Sequence, residues 1–350
     1  MTAPNYLKAG ILTIVLVALS VASWELHLRS SGLRPSYDDG ESLWSDKRAM
    51  VYMPADKATV FIGSSRNKFD LDINTWDSLT GEKAVQLAME GTSPLPVLDD
   101  LAADPKFAGK LMIDVTEGLF FSASPRNTSE PKTRIAYSKK RTPAQRFSFL
   151  VNHVVESQFV FLDKNFFSMN AMLEELPIPR RAGVFALPWN CPIEFGRVTF
   201  DRQNIMTERF LGDTSLQNKV TGLWNFYRSM STDKPASGAR LDSFINVVVK
   251  DVKLIQARGG QVIFVRTPSS GPYLMGEKMA FPRTQYWDKI LLATGCQGIH
   301  FEDYPATAHF QCPEFSHLKQ ADAIIYTQNL VSILQQEKGW VFPHKPMSHP

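Results

Sequence analysis

Cysteine is scarce in this chain, and the three present, Cys191, Cys296 and Cys312, contain no Cys-x-x-Cys pair. A zinc knuckle and a thioredoxin-type redox motif are therefore excluded. No glycine-rich phosphate loop and no zinc-finger spacing occurs, so the usual nucleotide-cradling and finger motifs have no sequence to form them. Neither sign of charge is in excess: 38 Lys and Arg stand against 35 Asp and Glu, a formal net charge of +3. Nucleic-acid binders depend on a strongly basic surface, and nucleic acid is not an expected partner here. No cofactor is implied, and His344 and His349 are too isolated to argue for a metal.

What is there describes one membrane segment and one large domain. The chain of 350 residues is 44% hydrophobic and 21% charged, enough apolar content for a substantial core and too much for disorder. From Gly10 to Trp24 the sequence runs without a charge. This is at the short end for a spanning helix, for which about 20 residues is typical. Signal peptide and uncleaved anchor both fit residues 1–29, and the anchor is favoured because the following segment stays amphipathic. Lys8 precedes the run, while Glu25, Arg29 and Arg34 follow it, so charge gives only a weak orientation signal.

Residues 30–56 read as a linker with an early helical turn, and the main domain as residues 57–338. Val60-Phe61-Ile62 is a buried-strand run that breaks into Gly63-Ser64-Ser65-Arg66. A short helix capped by Asn74 should follow, then a second apolar run over 84–89 ending at Glu90-Gly91. A helix over 95–101 and a third strand over 110–115 complete a parallel α/β unit. Residues 119–240 interrupt that rhythm as a long, mostly helical insertion, a lid or side wall over the site. Within it Arg126, Lys132, Arg134, Lys139, Lys140, Arg141 and Arg146 stand against the single acid Glu130. Such a tract is by default a solvated surface, with attraction for an anionic glycan or lipid headgroups as the functional alternative. The rhythm returns with a helical stripe from Leu241 to Ile255, a strand over 261–265, a short strand over 298–301 and a closing helix over 318–334. Residues 339–350 read as a loosely held tail.

Chemistry concentrates in two stretches. Small residues at the end of a buried strand allow the sharp turn that delivers a hydroxyl to the mouth of a site, which makes Ser65 the candidate nucleophile and Ser64 the lesser one. Far downstream, Cys312-Pro313-Glu314-Phe315-Ser316-His317 sets a carboxylate three residues before a histidine. A serine needs a neutral imidazole to take its proton, and a carboxylate to hold the imidazole in the right tautomer. His317 is the candidate base and Glu314 its orienter, with Asp303 in reserve. Arg266, at the end of a strand on the same sheet edge, either contacts substrate or holds its loop by a salt bridge. Asp114 and Glu117 are catalytic-block residues or structural carboxylates paired with an arginine. In an oxidising compartment Cys296 and Cys312 could close a short loop, the alternative being three free buried thiols.

Taken together, Gly63-Ser64-Ser65 and Glu314-Phe315-Ser316-His317 resemble the SGNH (GDSL-like) hydrolase superfamily, particularly its membrane-anchored bacterial members with a Gly-Ser-Ser-Arg first block. The resemblance covers roughly residues 58–336, with Glu314 where aspartate is usual. With the strand and helix alternation it implies an α/β fold: three layers, α/β/α, around a parallel, flavodoxin-like sheet. It also implies an oxyanion hole from the backbone N–H groups of Ser65 and Gly91. The family's third block departs here: Asp114-Val115-Thr116-Glu117-Gly118 has no asparagine, which removes a donor worth about 3 kcal/mol in the transition state unless Thr116 substitutes. Arg66, Thr116 and Arg266 are candidate substrate contacts.

The resemblance implies a serine esterase or O-acyltransferase handling acyl groups, acetyl foremost, of a cell-envelope polysaccharide. It would sit in the bacterial inner membrane by a single pass, with its domain in the periplasm or outside, sometimes beside a multispanning acyltransferase. The alternative is a non-catalytic scaffold or glycan-binding component.

Overall fold

A computed structural model of the chain describes residues 6–174, 176, 189–230 and 234–343. The chain forms seven strands among these residues: β1 (Ala58–Ile62), β2 (Lys83–Gln86), β3 (Lys110–Asp114), β4 (Arg197–Val198), β5 (Asn204–Ile205), β6 (Gln261–Arg266) and β7 (Gln297–His300). Five of them make one sheet in the order β2-β1-β3-β6-β7, with every pairing parallel. β4 and β5 form a separate antiparallel pair inside the insertion. The protein is thus mixed α/β and mostly helical.

The sheet is parallel because its strands carry apolar side chains on both faces, which only helices on both sides can cover. β1 and β3 are buried along their whole length. Their alternate residues divide between two apolar clusters, as a period of two requires. Val60, Ile62, Leu111, Ile113 and Phe264 join Leu98 of the helix Leu95–Ala103 and Val248 of the helix Gly238–Ala257. Phe61, Met112, Ile263 and Val265 join Trp76 of the helix Ile73–Thr80 and Leu330 of the helix Gln320–Gln336. The carboxyl ends of β1, β3 and β6 consequently meet at one edge.

Several sequence expectations need correction. The helix Ile73–Thr80 is capped by Asp72, whose Oδ1 accepts from Thr75 N–H at 2.9 Å, and Asn74 lies inside it. Residues 41–49 of the supposed linker form a helix. Its Trp44 is fully buried, with the indole N–H donating to Leu87 O at 3.1 Å, and Arg48 reaches Asp100 and Asp104. This segment is held by the domain because it carries core residues at helical spacing. The described start of the tail, residues 339–343, is anchored: Trp340 and Phe342 are buried, Phe342 edge-on to Trp76, while His344 and His349 lie outside the described residues. All three cysteines are free. Cys296 belongs to one apolar cluster and Cys312 to the other, so the sheet lies between them and no bridge can form.

Among its described residues the insertion is mostly helical, as expected, and its basic tract is partly absorbed into the fold. Arg134 is buried and paired with Glu130 and Asp39, and Lys139 pairs with Asp100 at 2.6 Å. Arg202 fastens the insertion to the sheet: fully buried, at the left-handed φ of 66°, it donates to Gln86 O at 2.7 Å at the end of β2 and to Ala88 O at 2.9 Å just beyond it. Its guanidinium also pairs with Asp39. Burial would raise the Asp39 carboxyl, but Arg202 and Lys68 outweigh it and hold Asp39 well below the usual carboxylate range. Near the N-terminus the helix Tyr6–Ser30, with a mean hydropathy of 2.0 over its most apolar 18 residues, is long and apolar enough to cross a membrane.

Candidate active site

The chain leaves β1 through Gly63, where a side chain has no room: an added Cβ would stand 2.6 Å from the Asp114 Cβ. Glycine is therefore required by the close approach of β3. Ser64 turns in extended conformation and Ser65 opens the helix Ser65–Asp70. Ser65 is partly exposed, unlike its neighbours Ser64 and Arg66. Its Oγ lies 2.8 Å from His317 Nε2, and His317 Nδ1 lies 2.9 Å from Glu314 Oε1. The carboxylate at Nδ1 places the ring proton there and leaves Nε2 as the acceptor for the serine hydroxyl. The three residues sequence reasoning paired are thus brought together in the order hydroxyl, imidazole, carboxylate.

One short helix and one loop hold this geometry. Ser65, Arg66 and Asp70 of the helix engage three consecutive residues of the histidine loop. Arg66 Nε donates to Ser316 Oγ at 3.2 Å, Ser65 meets His317, and Asp70 Oδ1 accepts from Leu318 N–H at 2.9 Å. Asp70 is fully buried, and burial raises its carboxyl well above the usual range. The loop itself turns at Phe315, whose φ of 73° is unusual for a residue with a side chain. That turn brings Glu314 back onto His317, whose backbone N–H donates to Glu314 Oε1 at 2.7 Å. Phe315 rests on Gly271, where an added Cβ would lie 2.8 Å from its ring.

Glu314 and His317 are shut off from solvent, at 0% and 2% exposure. The insertion supplies the wall. Trp224, on the helix Thr214–Met230, donates its indole N–H to Glu314 Oε2 at 2.5 Å. The rings of Phe69, Phe195 and Trp224 surround the imidazole at 4.7, 5.6 and 5.9 Å. Both carboxylate oxygens are hydrogen-bonded, so a buried charge on Glu314 is compensated. Trp224 was not legible as a site residue, because nothing local links it to a carboxylate in the last loop.

Behind the serine lies a buried ionic network. Glu277 receives Arg66 and Arg266, and Arg266 also pairs with Glu117 at 3.2 Å. Burial raises the Glu277 carboxyl, but the two guanidinium groups outweigh it and bring it to about 2. Arg66 and Arg266 are 1% and 2% exposed, with their guanidinium groups engaged by these carboxylates. Of the two roles that sequence allowed, Arg266 shows the salt bridge, and Glu117 is a structural carboxylate paired with it.

Thr116 is also engaged: its hydroxyl donates to Asp114 Oδ2 at 3.1 Å and accepts from Ser64 at 2.8 Å. A hydroxyl has one proton, so Thr116 has none left for an oxyanion while that bond stands. Asp114 also accepts from Thr267 at 3.1 Å, and burial raises its carboxyl despite Arg66 and Arg266.

Gly91 is exposed at φ 64° with open space where a Cβ would be. Met89 N–H donates to Gly63 O at 3.2 Å, so Gly91 follows two residues beyond a pairing beside the serine turn. Asp303 is exposed and paired with Arg283. Among the described residues no group of three or more His, Cys, Asp and Glu could hold a metal ion. The arrangement can accept a proton from Ser65, store it as an imidazolium against Glu314, and return it to a leaving group. No protein-family model matches this chain, and no curated protein matches it.

Proposed function

We propose that the chain is a membrane-anchored, SGNH-like serine esterase or O-acyltransferase with Ser65 as nucleophile, His317 as base and Glu314 as its orienter. The observation that carries this reading is the pair of contacts at 2.8 and 2.9 Å running from Ser65 through His317 to Glu314. The strand order β2-β1-β3-β6-β7 supports a flavodoxin-like, three-layer reading of the sheet, with the serine at the switch point beside β3. The substrate is an acyl ester, acetyl foremost, on a cell-envelope polysaccharide. The helix Tyr6–Ser30 is the single pass in a bacterial inner membrane, with the domain on the periplasmic side. A multispanning acyltransferase is the natural donor-side partner.

The reaction runs in two halves. Ser65 Oγ attacks the acyl carbonyl carbon as its proton passes to His317 Nε2, giving a tetrahedral oxyanion. Backbone N–H groups of Ser65 and Gly91 meet that oxygen. Collapse breaks the ester bond, the leaving alkoxide takes the proton from His317, and the acyl group stays on Ser65. Water or a sugar hydroxyl then attacks the acyl carbon as its proton passes to His317, and collapse of the second oxyanion breaks the bond to Ser65 Oγ, which takes the proton back from His317 as the free acid or the acylated sugar leaves.

One observation favours a second reading, a non-catalytic glycan-binding scaffold. The third block has no asparagine, and the Thr116 hydroxyl that could replace it is committed to Asp114. Turnover of p-nitrophenyl acetate and of an O-acetylated polysaccharide separates the two. The enzyme reading predicts turnover abolished in Ser65→Ala and His317→Ala, and equal slow rates in all three proteins would establish the scaffold.

A further inference from the structure

The helix Pro143–Glu156 is oriented the wrong way round for a surface helix. Phe147, Leu150, Val151 and Val154 recur at the i, i+3, i+4, i+7 spacing of one helical face. That face points away from the protein, with exposures of 70%, 56%, 49% and 55%. Phe149, on the other side, is buried between the Arg141 guanidinium and the rings of His153 and Phe200. A helix that turns its apolar stripe outward has an apolar occupant for it.

We infer that this stripe is seated in the lipid bilayer interface, beside the point where the N-terminal span enters the membrane. The inference rests on reading Tyr6–Ser30 as that span. Its carboxyl end is clamped to the chain immediately following the stripe helix. Glu25, buried, accepts from the backbone N–H groups of Val160 and Phe161 at 3.0 and 3.1 Å, and from Arg29 at 2.7 Å. Arg29 in turn donates to Gln158 O at 2.6 Å, and Trp24 meets Phe167 edge-on. Three residues lie between Glu156 and Val160, so the end of the stripe helix lies within about 14 Å of Val160, which the anchor's Glu25 holds. Glu25 directly follows the uncharged run ending at Trp24, which is the level of the headgroups.

Continuity with the anchor selects the bilayer as occupant. Lys140 and Arg146, exposed at the entry to the helix, add cations suited to anionic headgroups, as interfacial helices use them. The domain is then held against the membrane by two contacts, without a free tether.

Nitroxide labels on the full chain in lipid-only nanodiscs containing phosphatidylglycerol test this, in a Cys191→Ser background that leaves only the buried Cys296 and Cys312. Labels go to Phe147→Cys, Leu150→Cys, Val151→Cys and Val154→Cys, with Asn152→Cys on another exposed face and Val15→Cys in the span. The ratio of oxygen to nickel-chelate accessibility should be several-fold higher at the four stripe positions than at Asn152, and comparable in sense to Val15. Stripe positions that read like Asn152 while Val15 reads lipid overturn the inference and leave the span reading intact. A water-exposed Val15 overturns both. Stripe labels exposed in nanodiscs but shielded in native membrane vesicles assign the face to a protein, which also overturns it.

Discussion

Replacing Trp224 by phenylalanine keeps most of the ring that packs on His317 and removes one hydrogen bond. In the native protein Glu314 Oε1 accepts from His317 Nδ1 and the His317 N–H at 2.9 and 2.7 Å, while Oε2 accepts from Trp224 at 2.5 Å. The carboxylate is fully buried, so water does not replace the lost donor. A hydrogen bond to a charged group contributes about 1.5–3 kcal/mol. We expect Trp224→Phe to lower unfolding stability by about 1–2 kcal/mol. Acylation of Ser65 should slow about tenfold, the equivalent of ~1.4 kcal/mol, because a less firmly held carboxylate supports the imidazolium less well.

Glu314→Gln sharpens the test. Its amide must point an N–H group at either the indole N–H or the imidazole N–H, two donors face to face. Trp224→Phe relieves one of those clashes, so the double variant should be less impaired than the sum of the singles, with a coupling of about 1–2 kcal/mol. Thermal unfolding and the rate of phosphonylation read both quantities. Unchanged stability and rate in Trp224→Phe, with additive effects in the double variant, would refute the assignment of Trp224 to the carboxylate.

Three further outcomes follow from the buried groups. Gly63→Ala forces a Cβ to 2.6 Å from Asp114; it should cost about 1–3 kcal/mol of stability and abolish Ser65 acylation, measured on protein that remains folded. Glu277→Gln strands the buried charge of Arg66 and leaves Arg266 with Glu117 alone; it should destabilise by about 3–5 kcal/mol, read by denaturation at neutral pH. Asp251 is buried with Oδ2 unpaired, and burial with Asp99 nearby raises its carboxyl to about 6. A carboxyl raised on folding binds more protons in the folded state, so its cost appears as pH rises from its usual range through 6. Asp251→Asn should therefore raise the melting temperature at pH 7–8, by about 1–2 kcal/mol equivalent, and change little near pH 4.

What the sequence disclosed follows the range of the interactions involved. Ser65 was legible because the strand, the glycine and the small residues that expose it are contiguous. Glu314 and His317 were legible as a pair because one turn joins them. The ionic partners of Arg66 and Arg266 were not, since Glu277 and Glu117 come from separate elements and no local pattern connects them. For the same reason the indole of Trp224 reads as ordinary packing until the carboxylate 90 residues away is seen to receive it. The bridge between Cys296 and Cys312 fails because proximity in sequence conceals the sheet lying between their two clusters. Within residues 30–56 an early helical turn was legible, and residues 41–49 are helical; that the domain holds this helix was not legible, because Trp44 and Arg48 find their partners on distant elements.

The central claim is that the Ser65 hydroxyl is activated by His317. The most direct measurement is mass spectrometry of peptides after exposure of the full chain to a fluorophosphonate. The account predicts a single phosphonyl adduct on Ser65, absent from folded His317→Ala. An adduct on Ser64, equal labelling in His317→Ala, or no adduct on folded wild-type protein would contradict it.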